Sequence, residues 1–393
     1  MREERVDVLV IGGGPAGLAA GIEASEGGEV SVLIVEKGLK LAEKPCAEAV
    51  SAATLSDLGV KPFPRIVRNR IKGALVYAPN GKDYVEIRRG PEEGYIVNKR
   101  ALLEHLAIRA RRSGALFWIG SPALNFRVNE KGFVNEVLVS RRGERIVVRP
   151  KVIIACDGIG SMFGRGFFKR RGYEVIPTAQ YVLADAKVED EHMLEIRVGR
   201  NVAPGGYLWV FPREEGIVGI GAGVKGAPAK EFIDKFMKEN RDRFSNTTEL
   251  EYGASAVPIS GQVETRVKRN VILCGDAAGQ VIPLTGGGIH SASMAGKIAG
   301  KVAKEAVLEN EVNEHRLQAY VKEYDEYWGN RIRQSLKALK VIERLSDEDL
   351  NELAKVLSGE DVINLANGLN ISKVASKLMR HPLFAVKLAK ALL

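Results

Sequence analysis

The residues best suited to chemistry fall in five places along the chain. Gly12, Gly14 and Gly17 recur with G-x-G-x-x-G spacing, Pro15 and Ala16 stand between the last two, and Glu36 follows about twenty residues later. Backbone this bare can approach a pyrophosphate, and an acidic side chain at that separation can accept hydrogen bonds from a ribose. Cys46 follows Lys44-Pro45, where a thiol is either reactive or a small buried residue. Asp157-Gly158 and Gly275-Asp276 each close an apolar run, and Gly286-Gly287-Gly288 precedes Ile289. Tyr207, Trp209 and Phe211 alternate, so a strand would turn all three to one face.

Elements must hold these residues in place. Val6 to Ile11 reads as a buried parallel strand, Leu18 to about Ser25 as a small-residue helix, and Val30 to Val35 as a second buried strand ending in Glu36-Lys37. That strand-turn-helix-strand context turns a weak glycine motif into an adenine dinucleotide fingerprint. Gly12 permits the tight turn, Gly14 admits the pyrophosphate, and Gly17 lets the helix pack on the strand. Lys44-Pro45-Cys46 is expected to open a helix over Glu48 to Leu58, whose N-terminal amides would favour a Cys46 thiolate.

Residues 71–98 alternate as strands around the Pro79-Asn80-Gly81 turn, and a helix is expected from about Lys99 to Ser113. A strand at Ala115 to Ile119, a hairpin from Ala123 to Val148 and a buried strand at Val152 to Ala155 follow. Residues 178–265 read as a mostly antiparallel sheet with one helix near Lys230 to Asn240. GIGAG at 219–223 lacks a following strand with an acidic end, so it reads as a strand whose glycines leave room on its face. From Asn270 a buried strand runs into Gly275-Asp276, and a long helix starts at Ile289. The tail from His315 is helical. Leu317, Tyr320, Tyr324, Trp328, Ile332, Leu336 and Leu339 share one face, and the last segment sets Lys373, Lys377, Arg380, Lys387 and Lys390 against Val374, Leu378, Leu383, Val386 and Leu392.

Composition narrows the function classes. At 393 residues the chain should divide into two or three domains, and 45% apolar with 27% charged residues is globular. The net charge of +9 suits a phosphorylated substrate or an anionic membrane surface. No basic tract, zinc spacing or RNA-binding signature supports nucleic acid. Three scattered cysteines offer no metal spacing and suit a reducing, cytoplasmic setting. The charged start MREER does not read as a signal peptide, and no run approaches the 18 or so apolar residues that span a bilayer. Membrane contact would therefore be peripheral, on the inner face of the cell membrane, with the basic end helix as its candidate.

Asp276 and the helix after Gly288 move the reading from nicotinamide to flavin. A carboxylate after a distant strand can hold ribityl hydroxyls, and the positive end of a helix at Ile289 can stabilise the charge that reduction places on the N1 and O2 side of isoalloxazine. The expected cofactor is FAD.

Gly12-x-Gly14-x-x-Gly17 with Glu36, Asp157-Gly158 with Ser161, and Gly275-Asp276 with Pro283-x-x-Gly286-x-Gly288-Ile289 resemble the three motifs of the flavoprotein hydroxylase superfamily with the para-hydroxybenzoate hydroxylase fold. Lys44-Pro45-Cys46 and Tyr207-x-Trp209-x-Phe211-Pro212 resemble segments of the geranylgeranyl reductases within it. The resemblance covers about residues 5–300. It implies FAD contacts at Gly12, Gly14, Pro15, Ala16, Gly17, Glu36, Lys37, Cys46, Ala47, Ala49, Lys99, Ala123, Asp157, Gly158, Gly275, Asp276, Gly286, Gly288 and Ile289. Cys46, Tyr207 and Trp209 would serve catalysis, and Tyr207, Trp209, Phe211 and Pro212 would line the prenyl site. Lys99 stands where relatives place an arginine, and Gly164, with Arg165 next, stands where hydroxylases place one.

The implied fold is α/β: a discontinuous Rossmann-like FAD-binding domain (1–70, 99–175 and 266–310), an inserted antiparallel-sheet substrate domain (71–98 and 176–265) and a helical C-terminal region (311–393). The implied activity is saturation of geranylgeranyl chains of an archaeal-type ether phospholipid, with ferredoxin or another reductant as electron donor. Cys46, Tyr207 and water are the candidate proton donors, and the Tyr320 to Trp328 face or the end helix would help admit a lipid. A flavin monooxygenase acting on a small aromatic and a flavoprotein passing electrons to quinone are the alternatives.

Overall fold

The computed structural model describes residues 2–88, 94–170 and 173–380. From the N-terminus come β1 (Arg2–Ile11), α1 (Pro15–Ser25), β2 (Val32–Val35), β3 (Ala49–Ser51), α2 (Ala52–Asp57), β4 (Val67–Ile71), β5 (Gly73–Tyr77), β6 (Tyr84–Arg88), β7 (Gly94–Val97) and α3 (Lys99–Arg112). They are followed by β8 (Leu116–Trp118), β9 (Ala123–Val128), β10 (Val134–Arg141), β11 (Glu144–Ala155), α4 (Met162–Gly166), β12 (Val175–Ala184), β13 (Met193–Arg197), β14 (Tyr207–Glu214), β15 (Ile217–Gly223), α5 (Ala229–Glu239), α6 (Arg241–Phe244) and β16 (Thr248–Pro258). Then come β17 (Val267–Lys268), β18 (Val271–Leu273), α7 (Ile289–Leu308), α8 (Glu314–Leu317), α9 (Ala319–Tyr324), α10 (Asn330–Ile342), α11 (Asp347–Val356), α12 (Gly359–Asn367) and α13 (Ile371–Met379).

In the first sheet β8, β2, β1, β11 and β18 lie side by side and parallel. Alternation along these strands sorts their side chains onto two faces. Val8, Val10, Val32, Ile34, Val152 and Ile154 meet the small-residue helices α1 and α7 and helix α3. Leu9, Ile11, Leu33, Val35, Ile153 and Ala155 meet a layer built from the β9–β10 hairpin, Phe163 and Phe167. Strand order reverses between β1 and β11, so the turns after β1, β11 and β18 open into one crevice at the carboxyl ends of the strands.

The second sheet runs β16-β12-β15-β14-β13-β5-β6, antiparallel except where β13 meets β5. From the 71–98 segment β5 and β6 join it, whereas β7 pairs with β3 and β4 in a small third sheet. That third sheet corrects the expected helix over Glu48 to Leu58. Glu48 adopts a left-handed backbone (φ 66°), β3 is drawn into pairing with β7, and helix begins only at Ala52. Cys46 is therefore not at a helix start.

The aromatic stripe of the tail is core. Tyr320 and Tyr324 are fully buried and pack in the cluster beneath α7, so they do not form a face that admits lipid; only Trp328 reaches the cavity described below. The basic end segment packs on the protein where it is described: Val374 and Leu378 pack with Leu345 and Leu353, and Lys377 pairs with Asp361 at 2.5 Å. Leu383, Val386, Lys387, Lys390 and Leu392 lie outside the described residues.

Candidate active site

One cavity of about 1350 Å³ joins the crevice of the parallel sheet to the inner face of the second sheet. Ordinary small-molecule pockets hold ~300–1,000 Å³, so this one has room for a nucleotide and a second, elongated ligand. Its first end is polar. Gly12, Gly13, Gly14, Pro15 and Ala16 line it after β1, Glu36 and Lys37 after β2, and Ala123 at the start of β9. Gly12 needs its positive φ of 106°, and a Cβ there would meet the Cys156 carbonyl at 2.4 Å. Nothing lies within 4 Å of where a Gly14 Cβ would be, so that backbone faces open space. Gly17 does not line the cavity: a Cβ there would overlap the Gly12 carbonyl, and the residue works by letting α1 close on the turn. The Glu36 carboxylate accepts from Gly13 N–H (2.6 Å) and Gly38 N–H (2.7 Å), which fixes it at the rim with acceptor capacity to spare.

The middle of the cavity gathers the other loops. Asp157 Oδ2 accepts from Met162 N–H (2.7 Å), while Oδ1 is buried with no protein partner. Burial pushes the Asp157 carboxyl above the ordinary value, against hydrogen bonds from Ser161 and nearby amides. Gly275, Asp276, Gly286, Gly288 and Ile289 line the opposite wall, at the N-terminal end of the 20-residue helix α7. Lys44 Nζ lies 2.6 Å from Asp276 Oδ2. Lys99, buried, donates from Nζ to the Lys44 carbonyl at 2.7 Å and thereby ties the Cys46 loop to α3. Cys46, Ala47 and Ala49 all line the cavity. Gln180 Nε2, from β12, donates to the Cys46 carbonyl at 3.0 Å.

Of the other cysteines, Cys156 is engaged with Cys274, and that contact together with burial pushes its thiol well above the ordinary range. Cys274 Sγ also lies 3.3 Å from the Tyr320 hydroxyl. Cys156 and Cys274 line the cavity as well, and Cys46 is the third thiol on its wall.

The far end is apolar. Tyr207, Trp209 and Phe211 stack along β14 with ring centroids 5.9 and 6.4 Å apart and line the wall with Ile71, Leu194 and Ile196. The Tyr207 hydroxyl donates to the Thr285 carbonyl, and burial raises its pKa to about 12. Pro212 does not line the cavity. Alternation turns it to the opposite face, where its carbonyl accepts from Asn69 Nδ2 at 3.0 Å. Gly221 and Gly219 leave room as expected, the first for the Trp209 ring and the second for a neighbouring guanidinium. Leu339, Ile342, Leu353, Leu357, Val362 and Ile363, from α10 to α12, line the cavity as well. Sequence reasoning missed these residues, because apolar positions three and four apart look the same whether they meet a core or a ligand.

An FAD fits the residues present. The open backbone at Gly14, the N-terminus of α1, Glu36 at the rim and the orphaned Asp157 Oδ1 are what a pyrophosphate-bearing, ribose-bearing ligand would complete.

Comparison with known proteins agrees with this layout. Residues 7–56 match a family model described as an FAD binding domain, and residues 174–257 match one described as a geranylgeranyl reductase catalytic domain. The digeranylgeranylglycerophospholipid reductase of Methanocaldococcus jannaschii is 34% identical over 98% of both chains, and that of Methanothrix thermoacetophila 37% identical over 91% of this chain and 93% of its own. The crystal structure of a geranylgeranyl bacteriochlorophyll reductase-like protein from Thermoplasma acidophilum superposes with a TM-score of 0.89 at 28% identity, covering all of both chains. A flavin-dependent brominase at 17% identity shares the fold, with a TM-score of 0.73 over 92% of this chain and 94% of its own. The chain belongs to the geranylgeranyl reductase family.

Proposed function

We propose that the protein is an FAD-dependent reductase that saturates carbon-carbon double bonds in the geranylgeranyl chains of archaeal-type ether phospholipids. The observation that carries this reading is the continuity of the glycine-lined crevice with the aromatic and aliphatic tunnel in a single cavity. Gly12 to Ala16 and Glu36 would hold the adenosine and pyrophosphate part of FAD, with Lys37 and Ala123 at the same end. Asp157, Gly158, Gly275, Asp276, Gly286, Gly288 and Ile289 would surround the remainder. When bound and reduced, FAD supplies a hydride for one alkene carbon.

The chain supplies position and a proton. An isolated alkene is a poor hydride acceptor, so it must be held in near-attack geometry while an acid protonates the second carbon. Trp209, Phe211 and the α10–α12 residues fix the chain and exclude water. Cys46 is the proton donor this arrangement favours: the Tyr207 proton is committed to Thr285, and the indole N–H of Trp209 does not ionise. Trp209 then acts by its face.

Electrons would come from ferredoxin or another reductant, since the chain carries one dinucleotide fingerprint and the 219–223 glycines are spent on packing. No helix among the described residues is long and apolar enough to cross a membrane. In this reading the lipid substrate would be met by peripheral contact with the cytoplasmic face of the membrane.

The test is to reduce the purified flavoprotein anaerobically, add digeranylgeranyl lipid and weigh the product. Gain of two hydrogens per double bond supports the proposal. Unchanged lipid contradicts it, and incorporation of oxygen from air into an added phenol would favour a monooxygenase.

A further inference from the structure

Arg213 follows the Tyr-x-Trp-x-Phe-Pro segment on β14 but does not line the cavity. It is 4% exposed, and a cation so buried requires partners. Its Nη1 lies 3.3 Å from Glu48 Oε2, and its Nη2 donates to the Cys46 carbonyl at 3.4 Å. Gly219 on the adjacent strand makes the space, because a Cβ there would sit 3.0 Å from Arg213 Nε.

Both contacts fall on the three-residue loop that presents Cys46. That loop needs support, since Glu48 is held in the left-handed region. Its other anchors are Lys99 N–H to Glu48 Oε1 (3.0 Å), Val97 N–H to the Glu48 carbonyl (3.0 Å) and Gln180 to the Cys46 carbonyl. Lys99 and Gln180 each hold one of the two groups Arg213 touches, and Glu48 N–H donates to Cys46 Sγ at 3.4 Å. Among the described residues Arg213 is the side chain that reaches both the Glu48 carboxylate, as an ion pair, and the Cys46 carbonyl, as a donor, which suits the fixed fork of a guanidinium.

We propose that Arg213 is a positioning residue for the reductase chemistry, clamping the Glu48 carboxylate to the Cys46 carbonyl so that the Cys46 thiol is held at the cavity wall. The proposal rests on the reading of Cys46 as the acid, and it gives the GIGAG glycines a second task besides seating Trp209. Lysine would not reproduce the clamp, because its ammonium is one point charge on a flexible stem, whereas the guanidinium holds two separated nitrogens in a fixed plane.

Holoenzymes carrying R213M, R213K and E48Q would be compared with wild type in two ways. Iodoacetamide labelling of Cys46, read by peptide mass spectrometry without lipid present, is expected to speed up at least fivefold in R213M and E48Q as the loop loosens. With geranylgeranyl lipid, kcat is expected to fall about tenfold with KM within twofold, R213K is expected to fail to restore it, and R213M is expected to add nothing in a C46S background. If R213M does not fold, G219A presses on the guanidinium while keeping its charge and gives the same readouts. Unchanged labelling, unchanged kcat in variants whose labelling rises, or a further loss in the C46S background overturns the proposal. Because labelling needs no substrate, a wrong substrate assignment would leave that result standing.

Discussion

Trp209 and Gly221 are cross-strand partners on β14 and β15, and the indole Cζ2 lies 2.3 Å from where a Cβ of residue 221 would stand. The tunnel wall thus depends on a missing side chain. G221A should push the ring off the wall and destabilise the fold by ~1–3 kcal/mol, the usual range for overpacking. Thermal unfolding and FAD titration check this: a lower Tm and lost lipid reduction are expected, with FAD affinity unchanged, since the glycine turns after β1, β11 and β18 are elsewhere.

Lys44 and Asp276 pair across the middle of the cavity, 232 residues apart in sequence. The lysine side chain is 40% exposed, so solvent screens the pair and K44M should change stability by less than ~1 kcal/mol. D276A removes the carboxylate that the proposed function assigns to the cofactor. Fluorescence titration of apoprotein should show FAD binding weakened by ~10- to 100-fold, about 1.4 to 2.8 kcal/mol.

Cys46 and Tyr207 separate by pH and by substitution. C46S should lower turnover about 10²-fold, the scale of a lost general acid. Y207F should leave the activity profile between pH 6 and 9 unchanged, because the buried hydroxyl stays protonated until about pH 12. Its folded value lies above the ordinary 10, so its contribution to stability is complete below pH 10 and is lost as pH rises through 12. Denaturation midpoints measured from pH 9 to 12 should therefore fall less steeply in Y207F than in wild type.

Tyr320 holds the Gly275-Asp276 turn from below. Its hydroxyl donates to the Leu273 carbonyl (3.1 Å) and accepts from Gln280 Nε2 (2.7 Å), and Gln280 Oε1 accepts from Gly275 N–H (2.7 Å). Y320F removes the hydroxyl from three buried partners, the Leu273 carbonyl, Gln280 Nε2 and Cys274 Sγ. Chemical denaturation should register a loss of ~1–3 kcal/mol.

What could be read in advance was whatever depends on local spacing. The glycines after β1 with Glu36, the strand-turn-helix at Gly275 to Ile289, and the one-faced Tyr207-Trp209-Phe211 stripe follow from strand and helix periods alone. Alternation also places Pro212 on the far face, although motif resemblance had carried it into the prenyl site. The Cys46 loop was misread because its shape is set by β7, more than forty residues away, which captures Ala49 to Ser51 as a strand. The α10–α12 wall was hidden for another reason: its apolar stripe is complete in sequence, and only tertiary placement tells a cavity from a core. Arg213 escaped notice because a charged residue at a strand end ordinarily reads as solvated.

The central claim is that one cavity brings a reduced flavin and a prenyl chain together. Anaerobic stopped-flow mixing of the reduced holoprotein with geranylgeranyl lipid, and separately with the saturated lipid, tests it most directly. Reoxidation of the flavin with the unsaturated lipid and not with the saturated one is the expected result. Equal rates with both, or no reoxidation by either while quinone reoxidises the flavin readily, would contradict it.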